Sequence, residues 1–224
     1  MAVRRGFEPP RTCALHAFQA CAFDHSATSP AWRMIAKTTQ NIKHVILFHI
    51  MVVKQMVDTF IIRDGHVLLG RKNRGIGQGF WNGFGGKVMP SESVEEAARR
   101  EVREECGLTV TNLEPCARLL FSGEIPEIIE AHMFLVRAFD GKIVPSEEMD
   151  PIAWHSLSAV PYGEMWPDFR LWFSHVALGG FACGHGHYKG HALIFHNIRA
   201  CDSLPPIETL LPEAALYADV EALV

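Results

Sequence analysis

Between Gly86 and Leu108 the chain places charge, glycine and apolar residues at spacings that admit few structures. Ser93 followed by Glu96 forms a capping box, and Gly107 stands where helices commonly stop, so a helix is predicted from Ser93 to Cys106. Val94, Ala97, Ala98 and Val102 mark its apolar side. Glu101, Glu104 and Glu105 fall at i, i+3 and i+4, hence on one face. Three adjacent carboxylates repel one another and weaken a bare helix. The arrangement makes sense if divalent cations neutralise them, and Mg²⁺ prefers such hard oxygen ligands, completing its shell with water and phosphate. A solvated acidic face is the plainer explanation of an isolated E-x-x-E-E. Here Arg100 can hold Glu92 across the preceding loop, and glycines flank both ends.

The rest of the chain reads as mixed α/β. Val57–Arg63 and Val67–Leu69 are strands joined at Asp64-Gly65. A glycine-punctuated loop follows (Gly70, Gly75, Gly77, Gly79), and Phe80–Phe84 leads to Gly85-Gly86. Further strands are expected at Leu113–Phe121, Ala131–Phe139, Ile152–Leu157 and His191–Ile198. Trp166–Leu178 has helical spacing of aromatic residues. His185-Gly186-His187 reads as a glycine-rich turn, and the histidines His185, His187, His191 and His196 as ordinary loop and strand residues.

Of 224 residues, 48% are hydrophobic and the net charge is −4, so the chain suits a globular protein without a bulk positive field. That disfavours a nucleic acid polymer or an anionic membrane as partner. Six scattered cysteines form neither a C-x-x-C pair nor a zinc spacing, which points to a cytoplasmic protein. The longest apolar run, Val45–Val53, is too short to span a bilayer.

The segment 1–50 differs. Met1–Gln40 shows no period of a helix or strand. Gly6-Phe7-Glu8-Pro9-Pro10 can be encoded by the T-arm of a transfer RNA gene, and Phe23–Thr28 by the opposite strand of a serine-type tRNA. We expect a mis-annotated leader, with the start at Met51 or Met56; a genuine disordered leader is the alternative. Residues 51–200 are expected to form the domain, and 201–224 a tail.

Gly86, Glu92, Arg100, Glu101, Val102, Glu104, Glu105, Gly107 and Leu108 fit the Nudix box, G-x5-E-x7-R-E-U-x-E-E-x-G-U, at all nine positions. The chain therefore resembles the Nudix (MutT-type) hydrolases. The resemblance implies a mixed sheet in an α/β/α sandwich, with the box as a loop–helix–loop. It implies Mg²⁺, with Mn²⁺ as substitute, on Glu101, Glu104 and Glu105, with the Gly85 carbonyl and Glu148 as further ligands. Arg100 and Glu92 would brace the loop, and a metal-activated water would attack a diphosphate bond. Glu148 could act there as ligand or base.

Val67–Lys72, Gly79–Lys87 and Met165–Asp168 are similar to the oxidised-purine nucleoside triphosphatases of that family, which degrade 8-oxo-dGTP. By that similarity Lys72 reaches the phosphates, Asn82 and Asp168 hydrogen-bond the base and Trp166 stacks on it. Phe84, Gly85, Gly86 and Lys87 complete the substrate-binding set. Trp81 and Trp172 are core residues. The implied function is hydrolysis of a nucleoside triphosphate such as 8-oxo-dGTP to monophosphate and pyrophosphate, by a monomer that sanitises the nucleotide pool. The alternatives are a Nudix enzyme for a dinucleotide or ADP-ribose, and a non-catalytic nucleotide-binding module. Two departures stand out. Phe169 replaces a second consecutive Asp of the mammalian enzymes, and Ile76 replaces a Phe. The first predicts a narrower enzyme that prefers 8-oxo-dGTP over 2-hydroxy-dATP.

Overall fold

A computed structural model describes residues 53–123 and 127–210. The leader expected at 1–50 and most of the tail lie outside them. β1 (Val53–Arg63) turns at Asp64-Gly65 into β2 (His66–Lys72). Both turn residues have positive φ, 49° and 73°, the backbone that a two-residue hairpin needs. β3 (Trp81–Asn82) pairs with β2 and precedes helix α1 (Val94–Cys106). There follow β4 (Thr109–Val110), β5 (Glu114–Ser122), β6 (Ile128–Val136), β7 (Phe139–Asp140) and β8 (Met149–Ser156). Helix α2 (Phe169–Ala177) leads to β9 (Phe181–Lys189), β10 (Ala192–His196) and β11 (Arg199–Cys201).

The main sheet runs β10-β9-β5-β6-β1-β2-β3, with β8 also on β2 and β11 on β9. β1 with β6 and β5 with β9 are parallel; the remaining pairs of this sheet are antiparallel. Alternation along β1 sends its residues to two cores. Phe60 and Ile62 pack with Trp81, Phe169, Trp172 and Phe173 on the α2 side, whereas Ile61 meets Leu68, Phe84, Val102 and Cys106 on the α1 side. The expected mixed sheet between helices is what forms.

Helix α1 starts at Ser93, whose hydroxyl accepts from Glu96 N while the Glu96 carboxylate accepts from Ser93 N. It stops at Gly107, left-handed at φ 75°. Helix α2 is shorter than the aromatic spacing predicts. Trp166 precedes Pro167, which disfavours helical backbone before it. The helix begins at Phe169, and the Trp166 indole meets Phe80, Tyr188 and His191 edge-on instead.

One expectation is overturned. His185-Gly186-His187 is not a turn but part of β9, buried in the sheet, with Ser122 Oγ within 2.8 Å of ring nitrogens on both histidines. Its glycines reflect close packing. A Cβ on Gly184 would lie 2.7 Å from the Ile198 Cα, and one on Gly186 only 3.1 Å from Leu193. After β11 the chain continues to pack, and Leu210 is buried with Leu120, Ile128 and Cys183. No helix of the described residues is long and apolar enough to cross a membrane.

Candidate active site

Four elements converge on the carboxylate face of α1. The Gly83–Lys87 segment runs beside β1: Val57 N donates to the Gly86 carbonyl and Phe84 N to that of Thr59. Gly85 and Gly86 permit this approach, since a Cβ on Gly85 would come 2.0 Å from the Val57 carbonyl oxygen and one on Gly86 2.3 Å from Glu101 Oε1. Phe84 departs from expectation. Its side chain is wholly buried on the α1 side of the sheet and is absent from the cavity lining, so it is a core residue rather than a substrate contact.

Arg100 binds Glu92 through two bonds, Nη2–Oε1 at 2.7 Å and Nε–Oε2 at 3.0 Å, and also reaches Glu101, Glu104 and the Lys87 carbonyl. These contacts fix the loop to the helix. They hold the Glu92 carboxyl down at about 2, the Arg100 hydrogen bond being the main cause. Glu105 is buried and accepts from Gly85 N at 2.8 Å, while its Oε1 has no hydrogen-bond partner. Burial pushes its pKa up to about 8 against the pull of the Lys72 charge.

The antiparallel pairing of β8 with β2 brings the loop before Met149 beside Lys72. Lys72 Nζ lies 3.0 Å from Glu148 Oε1 and 3.6 Å from Glu105 Oε1. Burial opposes the charged ammonium, but those carboxylates raise its pKa overall. Burial alone would raise Glu148; the hydrogen bond and charge of Lys72, with Arg74, outweigh it and lower its pKa. Glu101, Glu104, Glu105 and Glu148 share a polar cleft of about 280 Å³ with Arg74, Ser146 and Glu147. Among the described residues no three His, Cys, Asp or Glu side chains converge as a metal-ligating group. Instead the carboxylates turn to Arg100 and Lys72. Their chemistry still fits a hard divalent cation: an all-oxygen donor set, one oxygen of it buried without a hydrogen bond.

The Glu105 shift has a consequence for stability. Its folded pKa lies above the ordinary 4.5, so the folded state holds a proton that the unfolded state releases as pH rises. Metal-free stability should therefore fall through that window, and Glu105→Gln should remove the penalty. Melting curves without metal should show the Tm of the variant, relative to wild type, climbing from about pH 5 to about pH 8. A difference that is flat or shrinks with pH would contradict this.

A cavity of about 740 Å³ extends from Lys72, Arg100, Glu101, Glu104 and Glu148 to an end walled by Phe121, Met133, Trp166 and Tyr188, a size suited to a small-molecule site. Asn82, Asp168, Gly85, Gly86 and Lys87 also line it. Asn82 Oδ1 is buried without a hydrogen-bond partner. Asp168 is buried, accepting from Tyr188 Oη at 2.5 Å and Trp172 Nε1 at 2.8 Å. Burial raises its pKa despite those bonds. Trp81 and Trp172 are core residues, as expected.

The sequence reading missed Tyr188 and Asp58. Asp58 lines the cavity from β1, is buried, and has its pKa raised to about 7 by burial first, with Asp168 adding to the rise and Lys72 opposing it. Its signal was a lone acid within the apolar run Val57–Ile62, on the same face as Phe60.

A profile of the NUDIX domain matches residues 54–176. The oxidized purine nucleoside triphosphate hydrolase of Danio rerio is 39% identical over 143 residues, covering 63% of this chain and 90% of that protein. Its namesake from Mus musculus is 37% identical over 146 residues, covering 64% and 92%. Among solved structures, a MutT protein of Bacillus halodurans superposes with a TM-score of 0.57 at 23% identity, covering 65% of this chain and 97% of its own. That likeness concerns the fold.

Proposed function

Since this chain belongs to the Nudix family, whose hydrolases generally use divalent metals, we propose that it hydrolyses oxidised purine nucleoside triphosphates such as 8-oxo-dGTP to the monophosphate and pyrophosphate. The observation that carries the reading is one cavity joining the α1 carboxylate face to an aromatic end with Asn82 and Asp168 in its wall. A nucleotide has that polarity: anionic phosphates at one end and a flat, hydrogen-bonding base at the other. Similarity that covers 90% and 92% of two proteins named for this activity supports it.

In this reading Glu101, Glu104, Glu105 and Glu148, with the Gly85 carbonyl, would hold Mg²⁺, or Mn²⁺ in its place. Such an ion lowers the pKa of a bound water and offsets charge on the phosphoryl oxygens. Arg100 keeps Glu92, Glu101 and Glu104 oriented. Lys72, released from Glu148 and Glu105, turns to the phosphates. Glu148 keeps Arg74 at 3.4 Å and is a carboxylate able to accept a proton. Asn82 and Asp168 meet the base edge, and Trp166 and Tyr188 wall its face. The protein acts as a cytoplasmic monomer on free nucleotides, the domain spanning 51–200.

The test is chromatographic product analysis of 8-oxo-dGTP, dGTP, a dinucleoside polyphosphate and ADP-ribose, each incubated with and without Mg²⁺. Metal-dependent hydrolysis fastest with 8-oxo-dGTP is expected. Turnover of ADP-ribose or the dinucleotide alone, or none with any nucleotide, would contradict the proposal.

A further inference from the structure

A buried carboxyl group with an oxygen that no protein donor satisfies is costly, and a fold retains one where something else uses it. Asp58 is such a group. It lies in the middle of β1, between buried Val57 and Thr59, and is itself only 8% exposed. Strand alternation turns it to the same face as Phe60, the face that α2 covers. A backbone hydrogen bond at Thr59 and the charge of Lys72 favour its carboxylate, but its Oδ1 makes no hydrogen bond. Gly83 leaves room for that oxygen, for a Cβ there would come 2.2 Å from it.

The surroundings are those of the base end of the cavity. Met133, paired with Asp58 in the parallel β1–β6 register, lines it, as do Met56, Asn82 and Asp168. The two carboxyl groups differ in what they have left to offer. Both oxygens of Asp168 already accept from protein, one from Tyr188 and one from Trp172, whereas Oδ1 of Asp58 accepts from nothing. Phe169 implied a base pocket with one carboxyl group. The structure brings a second to the same cavity from the sheet.

Resting on the proposed nucleotide reading, we propose that Asp58 is a specificity-determining residue: its carboxyl group accepts a hydrogen bond from a ring N–H that an oxidised purine carries and the parent purine lacks. The ligand chemistry is simple. Oxidation of guanine at C8 converts N7 from a lone-pair acceptor into an N–H donor. A carboxylate oxygen facing it gains a bond with the oxidised base and meets lone-pair repulsion with the ordinary one. A site built on a specific hydrogen bond discriminates more strongly than an apolar pocket can.

The experiment compares kcat/KM for 8-oxo-dGTP and dGTP in the full chain, in Asp58→Asn and in Asp58→Leu, with melting temperatures for all three. Leu fills similar volume without any acceptor; Asn keeps one acceptor beside a donor. The ratio of 8-oxo-dGTP to dGTP should fall at least about tenfold in Asp58→Leu and less in Asp58→Asn. The loss should fall mainly on KM for the oxidised nucleotide, and neither variant should melt below wild type, because each removes a buried carboxyl with an unpaired oxygen. A wild-type ratio in Asp58→Leu, or a loss of ratio that tracks a loss of Tm in both variants, would overturn the assignment. If the wild-type protein hydrolyses no purine nucleoside triphosphate, the underlying reading fails, visibly in the unmutated protein, and this inference with it.

Discussion

Replacing Glu101 or Glu105 by Gln should lower kcat by at least about a hundredfold, the scale of losing a main electrostatic stabiliser. Each substitution keeps size and helix propensity while removing one negative charge from the proposed Mg²⁺ site. Metal-free stability should hold or rise. Glu101 is partly buried and its pKa is raised, chiefly by desolvation against the pull of Arg100. Glu105 is more deeply buried and is pushed to about 8. Neither carboxylate is favoured by its surroundings alone, so neutralising it relieves the fold while disabling the reaction. Loss of kcat with retained Tm is thus the signature expected. Wild-type turnover in both variants would contradict the role given to these carboxylates.

The second large effect is on stability. Phe169→Asp, which on sequence grounds would restore a second carboxyl group to the base pocket, should instead cost at least about 3–5 kcal/mol. The Phe169 ring is 3% exposed, with centroids 5.6 Å from Phe60, 4.9 Å from Trp172 and 6.1 Å from Phe173. It forms part of the cavity wall, but its packing is that of the α2 core. Phe-to-Ala losses set the lower bound, and a buried carboxyl without a partner adds to them. Against a typical total of about 5–15 kcal/mol, the variant should unfold at far lower denaturant or fail to accumulate in soluble form. A denaturation midpoint equal to that of wild type would show that the ring does not support the core.

What could be read from the chain depended on whether the signal was local. Helix α1 was legible to its ends because Ser93, Glu96 and Gly107 act within a few residues, and the ordering of Glu101, Glu104 and Glu105 follows from helix geometry. The hairpin at Asp64-Gly65 is equally local. β9 was not legible. Its glycines look like a turn until β5, some 60 residues earlier, lies beside it and Phe121 fills the space over Gly186. The side of the sheet taken by Phe84 depends on its bridge to Thr59, and the face taken by Phe169 depends on where Pro167 lets α2 begin. Asp58 required both scales. Period-two alternation gives its face, but only the tertiary structure shows that the face at that point is a cavity wall rather than packed core.

Incubated with 8-oxo-dGTP and Mg²⁺, the full chain should yield 8-oxo-dGMP and pyrophosphate in equal amounts, as resolved by chromatography of the products. Accumulation of 8-oxo-dGDP with inorganic phosphate, or recovery of intact 8-oxo-dGTP, would show that the protein does not cleave the nucleotide to its monophosphate.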